Sequence, residues 1–154
     1  MLLVLPVAAA CSPAAPMRIP GTGAGLEALS AAADRDGVFR CDSPGGSLVG
    51  GLLLGMHLHE KRIPVLIEAG DFCASAAALA ALGGSSLYKS GAGALVFHGP
   101  TPAMSPFERG LMQGAFAAWD VPRPLAARVL ALRPGELWTP DPQDLRPLLE
   151  ARAR

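Results

Sequence analysis

The stretch Asp42-Ser43-Pro44-Gly45-Gly46-Ser47 joins an apolar, strand-like run to a helix-like one. Two segments of the same kind follow it, Gly70-Asp71-Phe72-Cys73-Ala74-Ser75-Ala76 and Leu95-Val96-Phe97-His98-Gly99-Pro100. Each is typical of the end of a β-strand that leads into a loop or a helix. In chain order they supply a glycine-lined turn, a serine at a helix start and a histidine at a strand end.

Ser75 and His98 are a candidate nucleophile and base. A serine hydroxyl attacks a carbonyl readily only when a base within hydrogen-bonding distance removes its proton, and histidine suits that task. The oxyanion that forms needs fixed N–H donors, and a Gly-Gly turn lets backbone amides come close. We expect Gly46 to supply one donor and Ala76, at the start of an apolar helix, the other. The three segments therefore indicate a serine hydrolase that needs no cofactor.

The three motifs resemble those of the proteolytic subunit of the Clp protease and its relatives in the crotonase-like superfamily. The Ser-Pro-Gly-Gly turn, the Ala-Ser segment and the strand-end His-x-Pro occur in the family's order, within about residues 36–147. The Cys-Ala-Ser version is most similar to a secreted or periplasmic branch. The resemblance implies an α/β fold, a serine peptidase with a peptide or protein substrate, and a homo-oligomer built as a ring or trimer.

The third member of the catalytic triad departs from the family's pattern. The resemblance implies an aspartate shortly before Leu137-Trp138-Thr139-Pro140, near Gly135, and none stands there. Glu136 is adjacent and is the candidate to orient the histidine, whereas Asp141 and Asp144 lie on the other side of the next helix start. If no carboxylate serves, the serine and histidine form a dyad or an inactive remnant.

Other classes of function stay open. A non-catalytic relative would bind peptide or mediate assembly on the same scaffold, and the missing aspartate favours it. A crotonase-type enzyme would use the two amides on an acyl-thioester, although such enzymes usually work with carboxylates, and coenzyme A binding would identify it. A Ser–Lys peptidase would have to use Lys61 or Lys89, the two lysines of the chain.

Residues 1–11 carry a separate signal. The apolar run is shorter than the roughly 20 residues that span a bilayer, but it suits the h-region of a secretory signal. Small residues precede Cys11, as at a lipoprotein processing site, although no basic n-region precedes the run. We expect residues 1–11 to be a signal peptide or lipoprotein signal, with Cys11 as the lipidation site and a membrane tether; a frayed apolar terminus is the alternative. Residues 12–154 would then be one domain in the periplasm or cell envelope.

The composition suits a single compact domain. The chain has 154 residues, of which 51% are hydrophobic, enough to build one core. Thirteen basic residues balance 13 acidic ones, and neither sign forms a run. The balance argues against a nucleic-acid partner or an acidic membrane surface.

The cysteine and histidine pattern gives no support for a metal. The sequence has no Cys-x-x-Cys motif, and His57 and His59 are two residues apart on an expected helix, which places them on different sides. Cys41 and Cys73 fall at the carboxyl ends of neighbouring expected strands. In an exported protein they could form a disulfide, but we favour two free buried thiols.

Strand and helix patterns alternate along the chain, which predicts repeated βα units and a mostly parallel sheet flanked by helices. In such sheets the reactive loops gather at the carboxyl ends of the strands. We expect Gly50, Gly51 and Gly55 to let a helix pack closely on the sheet, and the helices over 47–62 and 106–119 to form a subunit interface. The expected helices are 25–34, 47–62, 75–82, 106–119, 124–132 and 142–151; the expected strands are 17–19, 38–41, 65–68, 86–88 and 94–98.

Overall fold

Helices and strands alternate along residues 17–153, the part of the chain that the computed structural model describes. Residues 1–16, with Cys11 and the expected signal sequence, lie outside the described residues. The helices are α1 (Ala24–Asp36), α2 (Leu48–Glu60), α3 (Ala76–Ala81), α4 (Pro106–Ala118), α5 (Arg123–Leu130) and α6 (Pro142–Arg152). The strands are β1 (Phe39–Arg40), β2 (Val65–Ile67), β3 (Phe72–Ala74), β4 (Leu87–Lys89), β5 (Ala94–His98) and β6 (Leu137–Trp138). Within 17–153, no helix has the length and apolar character needed to cross a membrane.

The strands form two three-stranded sheets instead of one. The first has the order β1-β2-β4 and is parallel throughout. The second has the order β3-β5-β6, in which β3 and β5 are parallel and β5 and β6 antiparallel. A parallel bridge between Ser43 and Cys73 links the turn after β1 to β3. The predicted α/β architecture, mostly parallel with flanking helices, is confirmed.

Three short segments differ from the sequence prediction. The expected strand over 17–19 is reduced to a single bridge between Ile19 and Gly46. β6 was not expected, and β3 was expected only as a strand end before Ser75 without bounds of its own, because runs of two or three residues carry no measurable alternation of apolar and polar side chains. β3 is nevertheless the strand that leads to Ser75.

Three glycines of α2 face helices and the N-terminal segment, and the expectation that they pack on the sheet is wrong. A Cβ on Gly51 would overlap the backbone carbonyl of Ala76 at the start of α3. A Cβ on Gly55 would press on the ring of Trp119, and one on Gly50 would overlap the backbone that precedes α1. The glycines therefore allow α2 to lie directly against the start of α3.

β5, which carries His98, runs through the apolar core. Leu95 is fully buried, and Phe97 is 1% exposed. The Phe97 ring stacks on Trp138 of β6 with 5.7 Å between ring centroids. Alternate residues of a strand point to the same side, so the core holds this strand in register while His98 projects to the opposite side, toward solvent.

Cys41 and Cys73 form a disulfide, so the expectation of two free thiols is wrong. Backbone hydrogen bonds from Ser43 N–H to Phe72 O and from Ala74 N–H to Ser43 O place the end of β1 beside β3. The two Cα atoms are 5.2 Å apart, which suits a disulfide. Both cysteines are fully buried.

Removing this disulfide should lower the free energy of unfolding by about 3–4 kcal/mol, because the bond closes a long loop in the unfolded chain. The cysteines are 32 residues apart in sequence. Urea unfolding followed by circular dichroism would compare the wild type with a Cys41→Ala, Cys73→Ala double variant. The single variant Cys41→Ala should lose nearly as much as the double variant. Equal unfolding midpoints for wild type and double variant would contradict the prediction.

Candidate active site

Ser75 lies at the turn between β3 and α3 in an uncommon backbone conformation. Its φ is 56° and its ψ is −125°, a region that residues with a Cβ rarely occupy. Its N–H donates to Val96 O at 3.0 Å, and its carbonyl accepts from Leu79 N at 3.0 Å. Both sides of the turn are therefore fixed. Strained strand-to-helix turns of this kind expose the nucleophilic serine of other hydrolases.

His98, the last residue of β5, contacts Ser75. The distance from His98 Nε2 to Ser75 Oγ is 2.7 Å, which is a hydrogen bond. The two residues meet because β3 and β5 are parallel neighbours, with Ala74 paired to Val96. In this arrangement the imidazole can accept the serine proton.

The other ring nitrogen of His98 faces a backbone carbonyl. Nδ1 lies 3.2 Å from Gly99 O, and the same oxygen accepts the N–H of Gly135 at 2.9 Å. Gly135 stands near the position at which the resemblance implies an aspartate. A carbonyl acceptor favours the tautomer with a proton on Nδ1, which leaves Nε2 free to accept from the serine.

Glu136, the candidate third member, is engaged elsewhere. Its carboxylate accepts from Arg128 Nη2 at 3.1 Å and from the backbone N–H of Arg133 at 2.9 Å. The hydrogen bond from the Arg133 N–H is the largest influence on the pKa of this carboxyl. Desolvation opposes it, and with the added help of the Arg128 guanidinium the pKa stays below its usual value of 4.5. The structure does not bring this carboxylate to His98. Instead, the Glu136 backbone carbonyl accepts the N–H of Gly99 at 2.9 Å.

The other polar residues considered from sequence lie outside the site. Asp141 and Asp144 form the capping box of α6. Lys61 ends α2, and the Lys89 ammonium donates to the carbonyl of Ser90. His57 Nε2 lies 2.8 Å from an Asp34 carboxylate oxygen. Within residues 17–153, no cluster of three or more metal-ligating side chains is present.

Two backbone amides beside the serine have no acceptor in the described part of the chain. The bridge between Ile19 and the glycine turn uses the carbonyl of Gly45 and the N–H of Ser47, which leaves the Gly46 N–H unused. Ala76 is the first residue of α3, where an N–H has no partner within the helix. Gly46 and Ala76 line the same pocket as the serine. Both N–H groups are therefore candidates for the oxyanion site that the sequence analysis predicts.

Gly45 brings the turn into direct contact with the serine. Its φ is 95°, and a Cβ there would lie 2.6 Å from Ser75 Cβ and 2.8 Å from the carbonyl oxygen of Ala74. The Gly45 N–H donates to Ser43 Oγ at 3.1 Å, and Ser43 is 2% exposed. Only glycine fits here, and a buried serine holds it in place.

A pocket of about 170 Å³ opens beside Ser75 and His98. Glu108 is the acidic residue in its lining. A concave, mostly apolar pocket next to a nucleophile can hold one substrate side chain. The apolar walls are formed by Leu48, Leu79, Phe97, Met104, Met112 and Val129.

Comparison with known proteins shows the fold. No protein-family model matches the sequence, and no curated protein matches it. Solved structures of serine proteases with the Clp-protease fold do match, so the predicted fold class is confirmed.

Two of these structures are of the 1510-N membrane-bound stomatin-specific protease, each with a TM-score of 0.52. One is a serine-to-alanine mutant; it is 13% identical, and the match covers 81% of this chain and 68% of that chain. The other is a lysine-to-alanine mutant in complex with a substrate peptide. It is 15% identical, and the match covers 79% of this chain and 64% of that chain. This chain therefore spans about two thirds of the length of those proteins.

Ser75→Gly should be more stable than Ser75→Ala by about 1 kcal/mol. Glycine adopts positive φ without strain, while alanine keeps the Cβ that costs about 1–3 kcal/mol in this region. Urea unfolding of the two variants would measure the difference. If alanine proved equally stable, the turn would not be strained in solution.

Glu136→Gln should lower stability without abolishing reactivity at Ser75. Because the carboxyl pKa is lowered in the folded protein, its stabilisation is fully present above pH 4.5 and is lost as pH falls through the lowered pKa. Wild type and variant should therefore differ in unfolding midpoint at pH 7 and converge in acid. A thousandfold loss of Ser75 labelling by a serine-reactive probe, with unchanged stability, would instead make Glu136 the group that orients His98.

Proposed function

We propose that this protein is an exported serine peptidase with Ser75 as nucleophile and His98 as general base. The observation that carries the proposal is the 2.7 Å hydrogen bond between Ser75 Oγ and His98 Nε2 at the mouth of an apolar pocket. The strained turn at Ser75 and the two unused amides support it. A peptide substrate is supported by the structural neighbour that was solved with a substrate peptide.

The proposed reaction follows from the geometry. His98 Nε2 takes the hydroxyl proton as Ser75 Oγ bonds to the peptide carbonyl carbon. The N–H groups of Gly46 and Ala76 donate to the oxyanion. His98 then gives the proton to the departing amine nitrogen, and the C–N bond breaks. Water, deprotonated by His98, then attacks the acyl carbon. The bond from that carbon to Ser75 Oγ breaks, the peptide acid leaves, and His98 returns the proton to Ser75 Oγ.

The orientation of His98 by the carbonyl of Gly99 predicts a modest rate. A neutral carbonyl fixes the tautomer but stabilises the imidazolium less than a carboxylate does. The same observation favours a second candidate function, a non-catalytic relative that binds peptide at this pocket. The two candidates differ in whether the serine is activated.

Export is supported by the Cys41–Cys73 disulfide, since such bonds persist mainly in oxidising compartments. We place the protein in the periplasm or cell envelope, with residues 1–11 as a signal and Cys11 as a lipid-attachment site. One structural neighbour is named as membrane-bound, which is compatible with an envelope location.

Assembly into a homo-oligomer is supported by apolar side chains exposed on two helices. α2 exposes Val49, Leu53 and Met56, and Phe107 of α4 is 73% exposed. These are the helices that the sequence analysis assigns to a subunit interface. Burying such side chains between copies of the chain would remove them from water.

A fluorophosphonate probe should modify Ser75 of the full-length wild-type protein, as located by mass spectrometry. Ser75→Ala should not be labelled there, and His98→Ala should react at least 100-fold more slowly, because a general base contributes about 10²–10⁴. Ser47→Ala is the matched control, since Ser47 caps α2 through Gly50 N–H but does not contact His98. Folded wild type that stays unlabelled would support the non-catalytic candidate.

A further inference from the structure

Glu108 places a carboxylate in the wall of the otherwise apolar pocket. It lies in the first turn of α4, and Met112 and Phe116 follow it at spacings of four and eight residues. Residues at these spacings share one helix face, and both of those side chains are buried. Glu108 therefore stands on the inward face of α4, where it lines the pocket with Met104 and Met112.

Only one oxygen of the Glu108 carboxylate is hydrogen-bonded within the described residues, and its partner is Ser105. Its Oε2 accepts from both the backbone N–H and the hydroxyl of Ser105, each at 2.8 Å. The Ser105 backbone N–H, followed by its hydroxyl, holds the pKa of Glu108 below its usual range. Its Oε1 receives no hydrogen bond from residues 17–153, and no arginine, lysine or histidine in that range forms an ion pair with it. The group therefore has one oxygen bonded to Ser105 and the other available to a further donor.

An apolar substrate side chain would fit this wall poorly. Filling the pocket with a leucine would remove water from the Glu108 carboxylate without replacing its hydrogen bonds, which is unfavourable. A lysine or arginine has an aliphatic stem that packs on apolar surface and a cationic end that seeks an acceptor. Met104 and Met112 provide the apolar surface for the stem, and Glu108 provides the acceptor for the cationic end.

We propose that Glu108 is a specificity-determining residue, and that the pocket takes the lysine or arginine side chain on the carbonyl side of the scissile peptide bond. The proposal rests on the proposed function, since it assigns the substrate class of that same site. The aliphatic stem lies along Met104 and Met112, and the cationic group donates to Glu108 Oε1.

Two peptidyl diphenyl phosphonates that differ only in the pocket side chain test this specificity. One carries a lysine side chain, the other norleucine, which keeps the four-carbon stem of lysine and lacks its ammonium group. On the full-length protein we expect Ser75 to react on the order of 10- to 100-fold faster with the lysine probe, because hydrogen bonds to charged groups are the stronger ones. The ratio should fall toward unity in 1 M NaCl, since this partly exposed pair is screened by salt.

Glu108→Gln is the informative variant. Glutamine also serves in a capping box, so α4 keeps its N-terminus while the pocket loses its charge. The lysine-to-norleucine rate ratio should fall to about one in this variant. Glu150→Gln, on the exposed face of α6, is the matched control and should keep the wild-type ratio.

The possible outcomes separate the two proposals. Equal rates for the two probes on wild type would overturn the specificity inference, and so would a lysine preference that survives in Glu108→Gln. In either case, fluorophosphonate labelling of Ser75 would leave the proposed function standing. Failure of the fluorophosphonate itself to label folded protein would overturn the proposed function and this inference with it.

Discussion

The site depends on the close approach of α2 to the start of α3. No side chain separates the two helices where Gly51 lies on the carbonyl of Ala76, and further along Gly83 lies on Gly55. Each glycine inside a helix costs about 1 kcal/mol relative to alanine, so the contact must compensate for that loss. It does so by burying every residue of α3. Ser75 stands directly before this buried helix, at a φ of 56°.

A second constraint acts on the other side of the serine. The disulfide and the Ser43 hydrogen bonds attach the glycine turn to β3 directly before Ser75. A disulfide and backbone hydrogen bonds therefore connect the glycine turn to the strand that leads to Ser75. No long, flexible side chain takes part in this connection. In the proposed reaction, donors held in this way would lower the cost of reaching the transition state, because they would not reorganise. The disulfide thus belongs to the architecture of the site as much as to the stability of the fold.

The sequence predicted the helices and the strand ends well, because those depend on local chemistry. Ser47 and Ser105 cap helices as their side chains allow, and the order of motifs placed Ser75 and His98 on strands that prove to be neighbours. What could not be predicted depends on contacts between distant segments. The disulfide needs the register of Ser43 against β3, and the ion pair of Glu136 needs Arg128 of α5 to lie beside the segment that precedes β6. Glu108 was not singled out from the sequence, because Ser-x-x-Glu at a helix start is typical of a capping box, and only the packing of α4 brings the same carboxylate to the pocket.

The exposure of His98 bears on whether a catalytic carboxylate is required. In a buried triad, the imidazolium forms away from water, and an aspartate offsets the cost of that charge. His98 is solvent-exposed, so water can stabilise much of the developing charge. Water does not fix the orientation of the imidazole ring. The carbonyl of Gly99 does so, and it is held in turn by the N–H of Gly135. Without an aspartate near position 135, the proposed hydrolase loses stabilisation of the imidazolium charge by a carboxylate. A site open to water needs that stabilisation less than it needs a fixed imidazole ring.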